Sequence, residues 1–414
     1  MGIFEKLKDK VMNTDDFYLM HEDHQLAMFK VRNSEIVGAE VYTERELLRH
    51  LPFMVLYSNN REHALKTWIM DRIGVCEEPM EGYTDFEMML LNLGVSLSDH
   101  YWFKPVTVTS LRWLMVSVYT RDFLVSASDY ASDVRKYSPN TTLKGNMLKH
   151  WDLVGDKRVL VKSDLSNEHL IPYLEIFASR LHHMQHKFKC VKYGLYGESL
   201  VGGSEGKENK GLSVAEGGES VSEPLKETES ESAATGLNYY SMNFTSVDRE
   251  LLTMDSLFYV KNYKNYDLYD RVLELSKSMF NLDLHNFLDY MMLTDFLLTN
   301  VDRDFTNFGF LRDSHDLRII GMAPLYDFTD CLGVGLEDSF DINKITTNSF
   351  FKYELEGIRR VKNYNIVDID CLPTGNYLYN LLKNADITEG RRLAITQLYQ
   401  DKIAMLKDLQ RKGR

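Results

Sequence analysis

The sequence predicts an α+β fold in which a β-rich N-terminal lobe precedes a mainly helical C-terminal lobe. Short strand-like runs fill residues 1–105, and residues 138–200 show the order strand, strand, helix and strand. Beyond residue 236 the apolar residues recur mainly at helical spacing. A chain of 414 residues is also long enough for two or three domains and a substantial core.

Composition and charge narrow the classes of protein to which this chain belongs. Hydrophobic residues make up 44% of the chain and aromatic residues 12%, and both values are typical of globular proteins. The net charge of −13 offers no overall positive field, so nucleic acid is not an expected partner. The first ten residues lack an apolar signal core, and no run reaches the roughly 18 apolar residues of a membrane span. We expect a soluble, cytoplasmic protein without membrane contact.

The N-terminal lobe is expected to contain two units. Residues 1–105 form a β-rich subdomain with a helix at about 60–73, and residues 106–200 form the nucleotide-binding part. In the second unit, a turn-rich loop at 138–146 leads into strands that we place at 147–151 and 158–162. Pro172 then opens a helix, since proline suits the first helical turn, and residues 188–195 return as a strand.

A stretch of low complexity separates the two lobes. Residues 201–236 consist largely of Gly, Ser, Glu and Lys and contain almost no large apolar residue. Such a segment cannot bury enough surface to offset the entropy of ordering it, so we predict a disordered insertion. Its many Ser and Thr residues leave a regulatory phosphorylation segment as the alternative.

The C-terminal lobe, residues 237–414, is predicted to be helical at 248–254, 269–280 and 284–298. The last of these segments is apolar almost all round, which is typical of a buried helix. A buried helix is a rigid support for a catalytic loop at its end.

Three polar residues after that helix have the spacing that phosphoryl transfer requires. Asp302 precedes Asn307 by five residues, and Asp327 follows Asn307 by twenty. In metal-assisted transfer from ATP, the first carboxylate takes the proton of an acceptor hydroxyl, and the Asn oxygen and second carboxylate hold Mg²⁺. The spacing therefore predicts a kinase that uses ATP and Mg²⁺.

The N-terminal lobe offers the ATP-binding parts of a kinase in the required order. Gly145 lies in a turn, where the absence of a Cβ lets backbone amides approach phosphate. Lys162 ends a strand, as does the lysine that contacts the α- and β-phosphates in kinases. Glu175 lies on the following helix and is expected to hold that lysine, with Glu168 as the alternative.

These motifs resemble those of the HipA-like serine/threonine kinases, a family of bacterial proteins. The resemblance is carried by Asn-x-Asp-Arg-x-x-x-Asn-Phe-Gly at 300–309 and Ala-Pro-Leu-Tyr-Asp at 323–327. Segments 97–105 and 138–145 resemble those of the stand-alone members. The resemblance implies a two-lobed, protein-kinase-like fold, a protein substrate, Asp302 as catalytic base, and ATP- and metal-binding residues at the matching positions. Those positions are Lys162, Glu175, Asn307 and Asp327.

Two alternatives to an active protein kinase stay open, and Asp304 motivates the first of them. The family commonly has His at this position, and a negative charge near the phosphates either weakens ATP binding or assists metal binding. One alternative is a catalytically weak pseudokinase that serves as a binding scaffold. The other is a small-molecule kinase on the same fold.

Overall fold

The structure, a computed structural model, describes residues 14–75, 80–125, 136–145, 147–197, 236–260, 267–334 and 342–413. The predicted insertion at 201–236 lies outside the described residues except for Gly236. Helices and strands are mixed along the chain, so the predicted α+β class is confirmed. Among the described helices, none has the length and apolar character needed to cross a lipid bilayer.

The first sheet is antiparallel and has the strand order β3-β2-β1-β4. Its strands are β1 (Asp16–His21), β2 (His24–Arg32), β3 (Glu35–Val41) and β4 (Tyr101–Pro105). The second sheet is also antiparallel, with the order β5-β6-β8-β7. Its strands are β5 (Lys149–Val154), β6 (Lys157–Asp164), β7 (Tyr193–Leu195) and β8 (Leu237–Met242).

The third sheet has the order β11-β10-β9 and contains a strand where the sequence predicted a helix. Its strands are β9 (Arg249–Thr253), β10 (Gly309–Asp313) and β11 (Ile319–Met322). The helix predicted at 248–254 is therefore wrong. Glu250 and Leu252 are buried while their neighbours are more exposed, and antiparallel pairing with β10 satisfies the backbone. Pairing with a distant strand has overridden the local helical pattern.

The described α-helices range from 4 to 23 residues in length. They are α1 (Arg45–Leu48), α2 (Phe53–Leu56), α3 (Arg61–Asp71), α4 (Asp85–Leu91), α5 (Trp113–Val116), α6 (Ile171–Gln185), α7 (Leu268–Phe280), α8 (His285–Leu298), α9 (Glu354–Arg360), α10 (Gly375–Leu381) and α11 (Glu389–Arg411). Short 3-10 helices lie at Pro139–Thr142, Met254–Tyr259, Ile342–Lys344, Tyr364–Ile366, Ile369–Cys371 and Leu382–Asn384.

The helix ends follow from local chemistry. Asn60 accepts a hydrogen bond from the backbone nitrogen of His63 at 3.1 Å and so caps α3. Proline stands in the first turn of α6, and His186, with φ of 49°, ends that helix in the left-handed region. Helix α8 is buried on every side from Phe287 to its end, as its sequence predicted.

Two apolar cores organise the lobes. One draws on residues 17–151, and the other draws on residues 170–406. Leu153 and Leu160 of the β5–β6 hairpin pack against the first core, whereas Leu174 and Phe177 of α6 belong to the second. The chain therefore crosses from one core to the other between Lys162 on β6 and Glu175 on α6.

Candidate functional site

A cavity of about 480 Å³ is lined by residues from both cores. Trp68 and Tyr101 contribute from the first core, and Leu252 contributes from the second. Lys162 and Asp327, both predicted to bind ATP or its metal, also line the cavity. Its volume falls within the range of about 300–1,000 Å³ that is usual for small-molecule sites.

Lys162 is the charged centre of the cavity wall. Its Nζ lies 3.1 Å from Glu175 Oε1, 3.2 Å from Glu175 Oε2 and 3.2 Å from Asp327 Oδ1. Burial by itself lowers the pKa of Lys162, but the nearby Asp327 and Glu175 carboxylates outweigh burial and raise the pKa. The side chain is therefore a fixed cation held between two segments that are far apart in sequence.

Glu175 joins the lysine to the loop that follows Asp327. Its side chain is fully buried on α6, and Oε1 also accepts a hydrogen bond from the backbone nitrogen of Phe328 at 2.9 Å. One carboxylate thus positions both Lys162 and the residue after Asp327. The alternative candidate, Glu168, is exposed and makes no contact with Lys162 in the described contacts.

Asp327 is held in a strained and strongly charged environment. Its φ of 59° lies in the left-handed region, which is unusual for a residue other than glycine and is frequent at functional sites. Its backbone nitrogen donates to Tyr193 Oη at 2.9 Å, and Oδ1 accepts from Thr329 Oγ1 at 2.7 Å. Burial raises the pKa of Asp327, but Lys162 and the Thr329 hydroxyl bring the pKa well below its usual range. Asp327 is therefore ionised.

Arg303 connects the segment after α8 to the segment that carries Asp327. The guanidinium is 1% exposed and pairs with both carboxylate oxygens of Asp295, at 3.0 and 3.1 Å. Its Nη1 also donates to the backbone oxygens of Asn307 at 2.8 Å and Tyr326 at 2.5 Å. Since Asp295 lies on α8, the buried helix anchors both functional segments through one side chain.

Asn307 and Asp302 have different positions relative to the cavity. Asn307 lines it, and its Nδ2 donates to the backbone oxygen of Asp302 at 3.0 Å, so Oδ1 is the side-chain atom that can act as an acceptor. Asp302 is not among the lining residues, and its Oδ1 accepts from Asn348 Nδ2 at 2.9 Å. Asp304 Oδ1 accepts from both the backbone nitrogen and the hydroxyl of Thr306, so this carboxylate closes a local turn.

Gly145 occupies a backbone conformation that suits glycine alone. Its φ is +112°, and a Cβ at this position would lie 2.6 Å from Lys149 Nζ. The neighbouring Lys144 and Lys149 both line the cavity, whereas Gly145 itself does not. Glycine at this position therefore permits the backbone conformation of the loop and the close approach of Lys149 Nζ.

Gly145→Ala is expected to destabilise the protein by about 1–3 kcal/mol, because alanine is strained at a φ of +112°. Urea unfolding curves measure the change in free energy. Gly38→Ala is the matched control, since a Cβ there meets nothing within 4 Å and φ is not positive. Equal midpoints for the two variants would contradict the expected strain.

Two charged residues near the site escaped the sequence prediction. Lys149 is the direct cross-strand partner of Lys162, so counting back through the two-residue hairpin turn would have found it. The pKa of Lys149 is lowered, because burial outweighs the opposite effect of the Asp327 carboxylate. Burial raises the pKa of Asp330, and the negative charges of Asp302 and Asp327 raise it further. Asp330 follows Asp327 by three residues, but only the fold adds the charge of Asp302 to its surroundings.

No family model matches this chain, and no curated protein matches it. One solved structure to which it is similar is the proinflammatory kinase CtkA of Helicobacter pylori, with 16% identity and a TM-score of 0.40 over 63% of this chain and 92% of CtkA. Another is a chain of the HipA–HipB–operator DNA complex of the Shewanella oneidensis MR-1 toxin–antitoxin system. It has 8% identity and a TM-score of 0.33 over 94% of this chain and 90% of that chain.

A HipA complex is among the solved structures to which this chain is similar. Because both identities and both TM-scores are low, we derive the function from the geometry of the site alone.

Proposed function

We propose that this chain is an ATP- and Mg²⁺-dependent kinase that phosphorylates a serine or threonine of a protein. The observation that carries the proposal is the position of Lys162, whose Nζ is bound by Glu175 and Asp327 at the wall of the cavity. A strand lysine held by a helix carboxylate next to a metal-binding aspartate is the arrangement that kinases use to bind the phosphates of ATP.

ATP is the proposed occupant of the cavity. In this proposal Lys162 contacts its α- and β-phosphates, and Lys149 adds a second ammonium group on the adjacent strand. Tyr193 and Tyr239 have their ring centroids 5.7 and 5.9 Å from Lys162 Nζ, which restricts the position of the ammonium group. Glu175 keeps the lysine extended towards the cavity.

The chemistry of the donor set fits Mg²⁺. Asp327 offers an ionised carboxylate and Asn307 offers a side-chain oxygen, and both residues line the cavity. Hard oxygen donors of this kind are the ligands that Mg²⁺ prefers in proteins. When bound there, Mg²⁺ would neutralise charge on the phosphates.

Asp302 is the proposed catalytic base. Its carboxylate would take the proton of the acceptor hydroxyl as the hydroxyl oxygen bonds to the γ-phosphorus of ATP and the bond to the bridging oxygen breaks, which releases ADP. Asp302 does not line the cavity, and its carboxylate is bound by Asn348. In this proposal the acceptor hydroxyl therefore approaches Asp302 from outside the cavity that holds ATP. The side chain of Asp304 is engaged by Thr306 and has no role in this step.

Asp302→Asn is expected to lower phosphate transfer by about 10²-fold or more, because the amide cannot accept the hydroxyl proton. The measurement is Mg²⁺-dependent transfer from labelled ATP, including autophosphorylation, followed by identification of the phosphorylated residue type. Asp304→Asn is the matched control, since the change is isosteric, lies two residues away and keeps the oxygen that binds Thr306. That variant should remain within a few-fold of wild type.

Equal transfer by wild type and Asp302→Asn would contradict the kinase proposal. A thermal shift with Mg·ATP separates the alternatives, because a ligand that binds the native state must stabilise it. No shift at millimolar nucleotide would favour the scaffold. A shift with transfer only to small acceptors would favour the small-molecule kinase.

A further inference from the structure

Three histidines converge at one end of the first sheet. His21 ends β1, His24 begins β2 and is its partner in the hairpin register, and His50 follows α1. Each offers a ring nitrogen, and the three nitrogens lie within 4.8 Å of one another. Among the described residues, no other three His, Cys, Asp or Glu side chains place ligand atoms this close together.

Glu250 determines which nitrogen of His21 carries a proton. The Glu250 carboxylate is 1% exposed and lies 3.2 Å from His21 Nε2. Arg312 pairs with the same carboxylate at 2.8 Å, and an ionised carboxylate can only accept hydrogen bonds. His21 must therefore donate through Nε2, and in the neutral ring this leaves the lone pair on Nδ1.

The lone pair on His21 Nδ1 faces His50. The two Nδ1 atoms are 3.1 Å apart, and both residues are buried. Two ring nitrogens at this separation can bind one metal ion, each at about 2.0–2.1 Å from it, once neither nitrogen carries a proton.

His24 provides access to the pair. It is exposed, and its ring stacks on His50 with centroids 4.1 Å apart. Binding the same ion would turn the His24 ring out of this stack, and its exposure permits the rotation. The open side would admit a water molecule as a fourth ligand.

We propose that His21, His24 and His50 form a Zn²⁺ site of three imidazoles and one water. The Glu250 carboxylate accepts a hydrogen bond from the second ring nitrogen of His21. A histidine ligand whose second nitrogen donates to a carboxylate is the usual support of protein zinc sites. Three imidazoles select zinc and similar transition ions over Mg²⁺, which prefers oxygen. The charge of Glu250 is offset by Arg312 at 2.8 Å.

The proposed site ties the two lobes together. His21 and His24 belong to the first sheet, whereas Glu250 lies on β9 and Arg312 on β10 of the third sheet. Glu250 and Arg312 also line the cavity in which ATP is proposed to bind. Zinc would therefore stabilise the junction beside the cavity, and this role is independent of phosphate transfer.

The test is binding of the metal alone to untagged, metal-free protein. Zn²⁺ titrated against a chromophoric chelator should bind with 1:1 stoichiometry at micromolar concentration or tighter. Co²⁺ in its place should give the visible absorption of a tetrahedral site. His24→Ala removes an exposed ligand, so the variant should fold. Its affinity for Zn²⁺ should fall at least about tenfold, because loss of even a group that only supports a ligand costs about 10–100-fold.

His63→Ala is the matched control, because His63 is an exposed histidine on α3 of the same lobe. It should bind Zn²⁺ as wild type does. Zn²⁺ should raise the Tm of wild type and the control more than that of His24→Ala. The proposal is overturned if wild type shows no saturable binding at micromolar Zn²⁺, or if His24→Ala binds as tightly as wild type. Neither result bears on the kinase proposal.

Discussion

Asp327→Asn is expected to lower Mg²⁺-dependent phosphate transfer by about 10³-fold or more, the largest loss of activity among the variants considered. The substitution removes the charged oxygen that would hold Mg²⁺ and at the same time weakens the 3.2 Å contact with Lys162 Nζ. Two functions of one carboxylate are lost together. Transfer from labelled ATP, measured across a range of Mg²⁺ concentrations, should show the loss at every concentration.

The fold should tolerate Asp327→Asn. The side chain is 33% exposed, Lys162 keeps both contacts with Glu175, and the amide oxygen can still accept from Thr329. Asp316→Asn is the matched control for loss of one negative charge, because Asp316 is exposed in the turn between β10 and β11. Transfer by Asp327→Asn within tenfold of this control would refute the metal-binding role.

Arg303→Met is expected to lower the free energy of unfolding by about 3–5 kcal/mol, the largest effect on stability. The buried guanidinium is the partner of Asp295, and its loss would leave that carboxylate without its counter-charge. The backbone oxygens of Asn307 and Tyr326 would lose their donor as well. Urea unfolding followed by circular dichroism gives the change in free energy.

A double-mutant cycle distinguishes loss of the ion pair from loss of packing. Asp295→Asn combined with Arg303→Met removes both charges, so the double variant should be less destabilised than the sum of the two single variants. Arg318→Met is the surface control, since Arg318 is 74% exposed and pairs with an exposed aspartate. Additive single effects would show that the charges are not coupled.

Local patterns were sufficient where the physics is local. The apolar positions around residues 284–298 predicted a helix buried on every side, and α8 is such a helix because no face of it can be left in water. Pro172 and the strand pattern that ends at Lys162 likewise placed α6 and β6. The sequence therefore predicted that Lys162 lies on a strand and Glu175 on the helix that follows it. The roles of Lys162, Glu175 and Asp327 in binding ATP and Mg²⁺ stay predictions.

Local patterns failed where a distant partner decides the conformation. Residues 248–254 have helical spacing, but pairing with β10 makes them a strand. The same strand places Glu250 behind His21, more than 200 positions away in the chain. Histidine spacing alone would point elsewhere, to His182 and His186 at the end of α6, which are four residues apart. His182 in fact lies 2.9 Å from Tyr290 Oη through Nδ1 and is buried.

By itself, the sequence determined the α+β class, the buried helix α8 and the residue types that phosphoryl transfer requires, because each depends on spacing within a short segment. Only the tertiary structure decided that Glu175 rather than Glu168 holds Lys162, that Arg303 joins Asp295 to the Asp327 segment, and that Asp304 closes a local turn. These arrangements depend on distances between side chains on different elements. Such distances are set when two cores pack against each other and buried charges must find partners.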